Sequence, residues 1–186
     1  TTENGSFGTG AFTGNITNLS CATTYYSRAY AVNSVGTSTG AISASFTTSN
    51  CAPTITTEAA SSVTTDTATL NGTITVTGGA NATVRGFAYG TDATLATVIA
   101  TTTENGSFGT GAFTGAIASL ICNTTYYSRA YATNPVGTGL GSTQSFTTGA
   151  CANTTVTTQV ASSITQTAAT LNGTIGGSKN SDHLRG

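Results

Sequence analysis

The chain repeats itself at a spacing close to the size of a small domain. TTENGSFGTGAFTG at residues 1–14 recurs unchanged at 102–115, and CATTYYSRAYAVNSVGT at 21–37 returns as CNTTYYSRAYATNPVGT at 122–138. TATLNGTI at 67–74 returns as AATLNGTI at 168–175. The offset is 101 residues over most of the length. Fixed-period self-similarity marks an array. This period is too long for a solenoid unit and fits a whole domain.

The phase of the repeat divides the chain. Residues 1–51 carry the second half of a repeat, 52–151 a complete repeat, and 152–186 the first part of a further one. The stretch from Phe87 to about Thr102 has no counterpart in the two partial copies. Each partial copy is expected to leave an unpaired sheet edge and half a core. Adjoining repeats of a longer chain would complete them. So would second copies, through strand addition in an open, non-closing contact that builds a fibre. The lack of a third strand in such an exchanged domain favours the longer chain.

Composition narrows the function. Only 6% of the 186 residues are charged, against roughly a quarter in ordinary domains. The single lysine and the single histidine are Lys179 and His183. Acid–base catalysis, nucleophile activation and metal binding draw on groups that are absent or scattered here. The expectation is a protein that is not an enzyme and has no cofactor and no metal. A net charge of −1 lacks the basic footprint nucleic acid requires. No apolar run reaches the ~18 residues of a membrane span, so membrane insertion is not expected.

The local pattern reads as short strands. Ala68, Leu70, Ile74 and Val76 alternate with Thr69, Asn71, Thr73 and Thr75, the period of a half-buried strand. In 126–132, Tyr126, Ser128, Ala130 and Ala132 share one face, and Tyr127, Arg129 and Tyr131 the other. Threonine suits a pleated surface because its branched side chain is stiff. Thr77-Gly78-Gly79-Ala80-Asn81 and Asn134-Pro135-Val136-Gly137 punctuate the strands as turns. No window shows a 3.6 period. Short strands with closely spaced turns predict an antiparallel sandwich.

Several of these segments carry a resemblance. Residues 120–137 (LICNTTYYSRAYATNPVG), followed by Ser145-Phe146-Thr147-Thr148, resemble the last two strands of a bacterial fibronectin type III-like domain. ATLNGT at 68–73 resembles its second strand and RGFAYGT at 85–91 its third. The similarity spans essentially the whole chain. It implies an all-β fold of tandem fibronectin type III-like (immunoglobulin-like) antiparallel β-sandwiches, one complete and two partial. The family commonly has proline where Cys21 and Cys122 stand, and the stretch from Gly176 to His183 departs from Thr77–Thr83. The resemblance makes Tyr25 and Tyr126 tyrosine-corner residues, with plain core packing as the other reading.

The resemblance also places Cys21 and Cys122 in a loop at the same pole as Cys51 and Cys151, which follow the last strand. It therefore implies disulfides Cys21–Cys51 and Cys122–Cys151, with free buried thiols as the alternative. Each bond would close a loop worth roughly 3.5 kcal/mol in the chain-entropy model and would indicate an oxidising compartment.

Other features have two readings each. Tyr26, Arg28 and Tyr30, repeated as Tyr127, Arg129 and Tyr131, form an aromatic–cation ladder that Arg85 could join. It would touch glycans or surface proteins by stacking and cation–π contact, or simply pack across strands. Thr73, Thr75 and Thr77 form a row that would order water or bind ice if it were part of a flat multi-strand array, and that reads best as an ordinary solvent face. Asn-x-Ser/Thr recurs from Asn4 to Asn172, either as glycan acceptors or as a by-product of abundant threonine. Glu58, Asp66 and Asp92 are too dispersed for a calcium loop.

The expected role is therefore a structural repeat of an extracellular filament, stalk or surface array. Its partners would be copies of itself or adjoining repeats. The alternative is an adhesin or carbohydrate-binding accessory module at the cell surface, contacting glycans or proteins through the ladder.

Overall fold

The computed structural model describes residues 1–176. The cationic tail with Lys179 and His183, and nearly all of the divergent stretch beginning at Gly176, lie outside the described residues. The described chain is all strand and turn. Four short strands come first: β1 (Thr24–Tyr25), β2 (Tyr30–Val32), β3 (Thr37–Thr39) and β4 (Phe46–Thr47). The central group is β5 (Thr54–Ser61), β6 (Ala68–Val76), β7 (Ala82–Gly90), β8 (Ala100–Phe108), β9 (Gly111–Ile117), β10 (Thr125–Asn134), β11 (Gly137–Leu140) and β12 (Gln144–Thr147). A hairpin follows, β13 (Thr155–Ser162) and β14 (Thr170–Gly176).

The central strands build an immunoglobulin-like sandwich. One sheet has the order β5-β6-β9. The other runs β8-β7-β10, with β11 and β12 sharing the far edge of β10. All pairings are antiparallel. At the gap between β11 and β12, the Ala130 N–H would lose its ladder partner. It donates instead to the Thr57 hydroxyl of the opposite sheet at 3.0 Å, and Thr57 is buried for that purpose. A buried amide left unpaired there would cost about 1–3 kcal/mol.

The core is a fit of large against small. Leu70 and Ile74 from β6, Phe87 from β7, Phe113 and Ile117 from β9, and Tyr126 from β10 are all buried. Phe87 lies over Gly72 and Gly115 of the facing sheet. A Cβ at Gly115 would come within 2.8 Å of the Phe87 ring, and one at Gly72 within 3.2 Å. The Phe87 and Phe113 rings meet at 5.0 Å between centroids. On β10 the residues with even numbers from Tyr126 to Asn134 are buried, the face expected from alternation. On β6 the buried face is Ala68, Leu70 and Ile74, but Val76 is 52% exposed. Pairing with β9 ends at Ile74, opposite Gly111, so nothing covers Val76.

Side chains lock the irregular points. β5 and β6 slip register between Glu58 and Ser61, and Asn71 Nδ2 bridges the slip by donating to the Ala59 carbonyl at 2.7 Å and to Ser61 Oγ at 3.1 Å. The Tyr126 hydroxyl accepts from the Ile121 N–H at 2.9 Å, and its ring stacks on Phe146 at 5.7 Å. That is a tyrosine corner, and it fixes the path into β10. In the threonine row, Thr73 donates to Glu58 at 2.6 Å and Thr75 to the Thr54 carbonyl at 3.0 Å. Phe87→Ala is expected to cost about 3–5 kcal/mol in urea unfolding. Val76→Thr should change stability by less than about 0.5 kcal/mol. Equal losses at both sites would contradict this division of core from rim.

Candidate functional site

The most built-up polar site lies where one repeat passes into the next. Asn134, at the end of β10, is 3% exposed. Its Nδ2 donates to the Cys51 carbonyl at 2.7 Å and the Thr77 carbonyl at 3.0 Å. Its Oδ1 accepts from the N–H groups of Val136 at 2.9 Å and Gly137 at 3.1 Å. One carboxamide thus shapes its own turn and grips the segment leaving the preceding repeat. The Cys51 N–H donates to the Gly78 carbonyl at 2.8 Å, so Cys51 is held through both of its backbone groups.

The β6–β7 turn is glycine because of this contact. Gly78 and Gly79 have φ of 71° and 94°, the left-handed region that glycine tolerates. Space is also lacking: a Cβ on Gly78 would strike the Cys51 carbonyl, and one on Gly79 would strike Ala22 and the Asn50 side chain. The turn of one sandwich is therefore shaped by the loop and the exit of the copy before it.

Both cysteine pairs are bonded. Cys21–Cys51 and Cys122–Cys151 close separations of 30 and 29 residues, with Cα–Cα distances of 5.9 and 5.1 Å. The first bond ties the loop at Ala22 to the exit at Cys51, the two elements that flank Gly79. Thr148 reinforces the second, donating to the Ile121 carbonyl at 2.6 Å and accepting from the Thr124 N–H at 3.0 Å. Thr48 does the same with Ser20 and Thr23.

The aromatic–cation ladder is distributed differently from a single contact patch. Tyr127, Arg129 and Tyr131 are half-buried on the outer face of β10. The Tyr131 hydroxyl crosses Gly86 to bond the Thr102 carbonyl at 3.0 Å and Thr103 Oγ1 at 2.8 Å. Arg129 Nε is buried without a hydrogen-bond partner among the described residues. Arg85 does not join this row. It stands opposite Ala132 in the β7–β10 register, which puts it on the inner face. There it pairs with Glu104 at 2.6 Å and lies over the rings of Phe108 at 4.1 Å and Phe113 at 5.1 Å. In the first copy, Tyr26 is 70% exposed, Arg28 and Tyr30 are exposed too, and the Tyr30 hydroxyl meets Thr2 Oγ1 at 2.8 Å.

Asp92 closes the loop between β7 and β8. Its carboxylate accepts from the Thr94 N–H at 3.0 Å, the Thr94 hydroxyl at 2.9 Å, and the N–H groups of Ala96 and Thr97 at 3.0 and 3.2 Å. These bonds, the Thr94 N–H first, hold its carboxyl below the usual 3.8. No group of three or more His, Cys, Asp or Glu positioned to hold a metal occurs among the described residues.

Sequence reasoning missed Asn134 as more than a turn residue. Its partner carbonyl lies 83 residues away. The available signal was its recurrence as Asn33, in a stretch where neighbours change from Val-Asn-Ser to Thr-Asn-Pro.

No family model and no curated protein matches the chain. Among solved structures, similar folds include the sensor domain of the anti-sigma factor RsgI4 in Pseudobacteroides cellulosolvens. It is 20% identical with a TM-score of 0.45, covering 53% of this chain and 95% of that one. Domains A168-A170 from titin match at 17% identity and a TM-score of 0.37, covering 67% of this chain and 40% of that one. At these identities the likeness concerns the chain path alone.

Replacing Cys122 and Cys151 together by serine should lower unfolding stability by about 3–4 kcal/mol, read by denaturant titration beside the oxidised parent. For Asp92 the folded carboxyl is the stronger acid. Its contribution is present above 3.8 and is lost as pH falls through the lower folded value. Amide protection factors at Thr94, Ala96 and Thr97, taken relative to intrinsic exchange at each pH, should therefore fall on acidification, and Asp92→Asn should abolish that change.

Proposed function

We propose that this chain is non-enzymatic structural material, a run of fibronectin type III-like repeats from an extracellular filament, stalk or surface array. The observation that carries the reading is the junction. Cys51 is held by Gly78 and by the buried Asn134, so the connection between successive repeats is part of the folded structure. A free linker would make few such contacts. Spacing at a fixed distance and angle is what such a connection accomplishes. Two disulfides in a small-domain protein support an oxidising, extracellular setting, and the low charge suits a role without charged ligands.

Small-angle scattering on the oxidised chain tests this. The profile should fit an elongated body with one fixed angle between the first and second repeats. Asn134→Ala leaves the Cys51 and Thr77 carbonyls unpaired and should cost about 1–3 kcal/mol, with a broadened distribution of interdomain distances. A flexible parent, or a variant with an unaltered profile, would remove the spacer reading.

The second reading, an adhesin or glycan-binding accessory module, has one observation in its favour: the outer face of β10 presents Tyr127 beside Arg129, both half-exposed. Binding to a glycan array that disappears in Tyr127→Ala would favour it over the spacer.

A further inference from the structure

We propose that β9 is the strand through which this chain docks sideways onto a second copy of itself, pairing antiparallel with the β9 of that copy. This goes beyond the array reading and does not rest on it, since the contact belongs to the complete central sandwich.

The central sandwich has free edges at β5 and β9 in one sheet, and at β8 and the β11–β12 side in the other. A free edge offers unpaired backbone groups to an incoming strand, and charge, shortness or broken register commonly blunts it. All but one of these edges are blunted. β5 slips register twice and carries Glu58. β8 slips opposite Ala82–Val84 and carries Glu104. β11 and β12 have four residues each and leave the gap at Ala130. β9 has neither charge nor proline, and it pairs with β6 through seven consecutive residues without a slip. Its backbone groups turned away from β6 bond to no other backbone group among the described residues.

The sequence of β9 determines what fits this edge. Phe113 and Ile117 are buried, while Ala112, Thr114 and Ala116 are exposed on the outer face. Against β6, each large inward residue stands opposite a small one. Phe113 faces Gly72, Ile117 faces Ala68, Leu70 faces Gly115 and Ile74 faces Gly111. A second β9, laid antiparallel and centred on Thr114, repeats that rule. Phe113 then faces Gly115 of the second copy and Ile117 faces its Gly111. On the outer face Ala112 meets Ala116 and Thr114 meets Thr114. Centring one residue earlier would set Phe113 against Phe113, and one residue later Phe113 against Ile117. The large-against-small fit therefore selects Thr114 as the centre of a two-fold, isologous contact. Threonines directly opposite one another favour such a pairing.

Nothing beside the edge opposes the approach. The exposed side chains of β9 are small. β8 is joined to β9 through residues 109–110 and so borders the same side, but its Glu104 is already paired with Arg85 at 2.6 Å. Docking extends β5-β6-β9 of one copy into β9-β6-β5 of the next as one continuous sheet. Gly10-Ala11-Phe12-Thr13-Gly14 repeats Gly111–Gly115, so successive repeats of an array would offer the same edge and neighbouring arrays would join side by side.

The test uses the oxidised 186-residue chain in sedimentation equilibrium at concentrations up to about 1 mM. The parent should populate a species of twice 18.4 kDa that grows with concentration. Thr114→Lys sets two like charges against each other at the centre of the contact. It should weaken the dimer by about tenfold, with the urea midpoint of the central sandwich unchanged. Thr114→Glu should do the same. An equimolar mixture of the two variants should restore the dimer, because opposite charges then face each other. Thr56→Lys, on the outer face of β5, should dimerise as the parent does. A parent that stays monomeric at about 1 mM would overturn the inference. So would a dimer that survives Thr114→Lys undiminished, or a mixture that associates no better than either variant alone. The array reading is untouched by any of these results, since the scattering at the Asn134 junction decides it separately.

Discussion

The ring of Phe87 occupies the volume that side chains at Gly72 and Gly115 would need. The facing sheets meet through this contact, and the rest of the sandwich is arranged around it. Leu70, Ile74, Phe113 and Ile117 surround it as the remaining buried apolar groups of β6 and β9. Ala130 and Ala132 on β10 are small enough to let the sheets close. A chain with so few charged residues and such short strands has limited apolar area to bury, so the tightness of this fit matters more than its extent.

The repeat then solves a second problem with polar groups. A sandwich ends where its last strand leaves, and in most tandem proteins a linker begins there. Here the exit is drawn into the following unit by Asn134, by the Gly78 carbonyl and by the shape of the Gly78–Gly79 turn. The disulfide to Cys21 keeps that exit registered with its own body. Covalent and hydrogen-bonded constraints therefore meet at one residue, Cys51, from the two sides of the boundary.

Much of this was legible in the sequence. The alternation in 126–132 identified the buried face of β10, because a strand paired on both edges keeps its period throughout. Val76 was misplaced because alternation continues past the point where β9 stops. Arg85 was placed with the tyrosines because its neighbouring strand could be read from the resemblance, while its face depends on register, and one residue of register inverts a strand. Asn134 was read as punctuation, since its partners lie in the preceding repeat and in the β6–β7 turn, which no local window contains.

The position of the disulfides has a mechanical consequence. In the proposed array, tension would reach a repeat at Cys151 and pass through the sulfur bridge to Cys122. It bypasses the 29-residue separation that contains β10, β11 and β12. Those strands would stay shielded from pulling while the bond is intact. A repeat that yields would release only the chain outside the bridge, shortening its extension by roughly 100 Å at about 3.3–3.6 Å per residue. Each repeat would thus keep a loaded-state remnant, with the Tyr126–Phe146 stack still enclosed, around which the rest could refold once the load is removed.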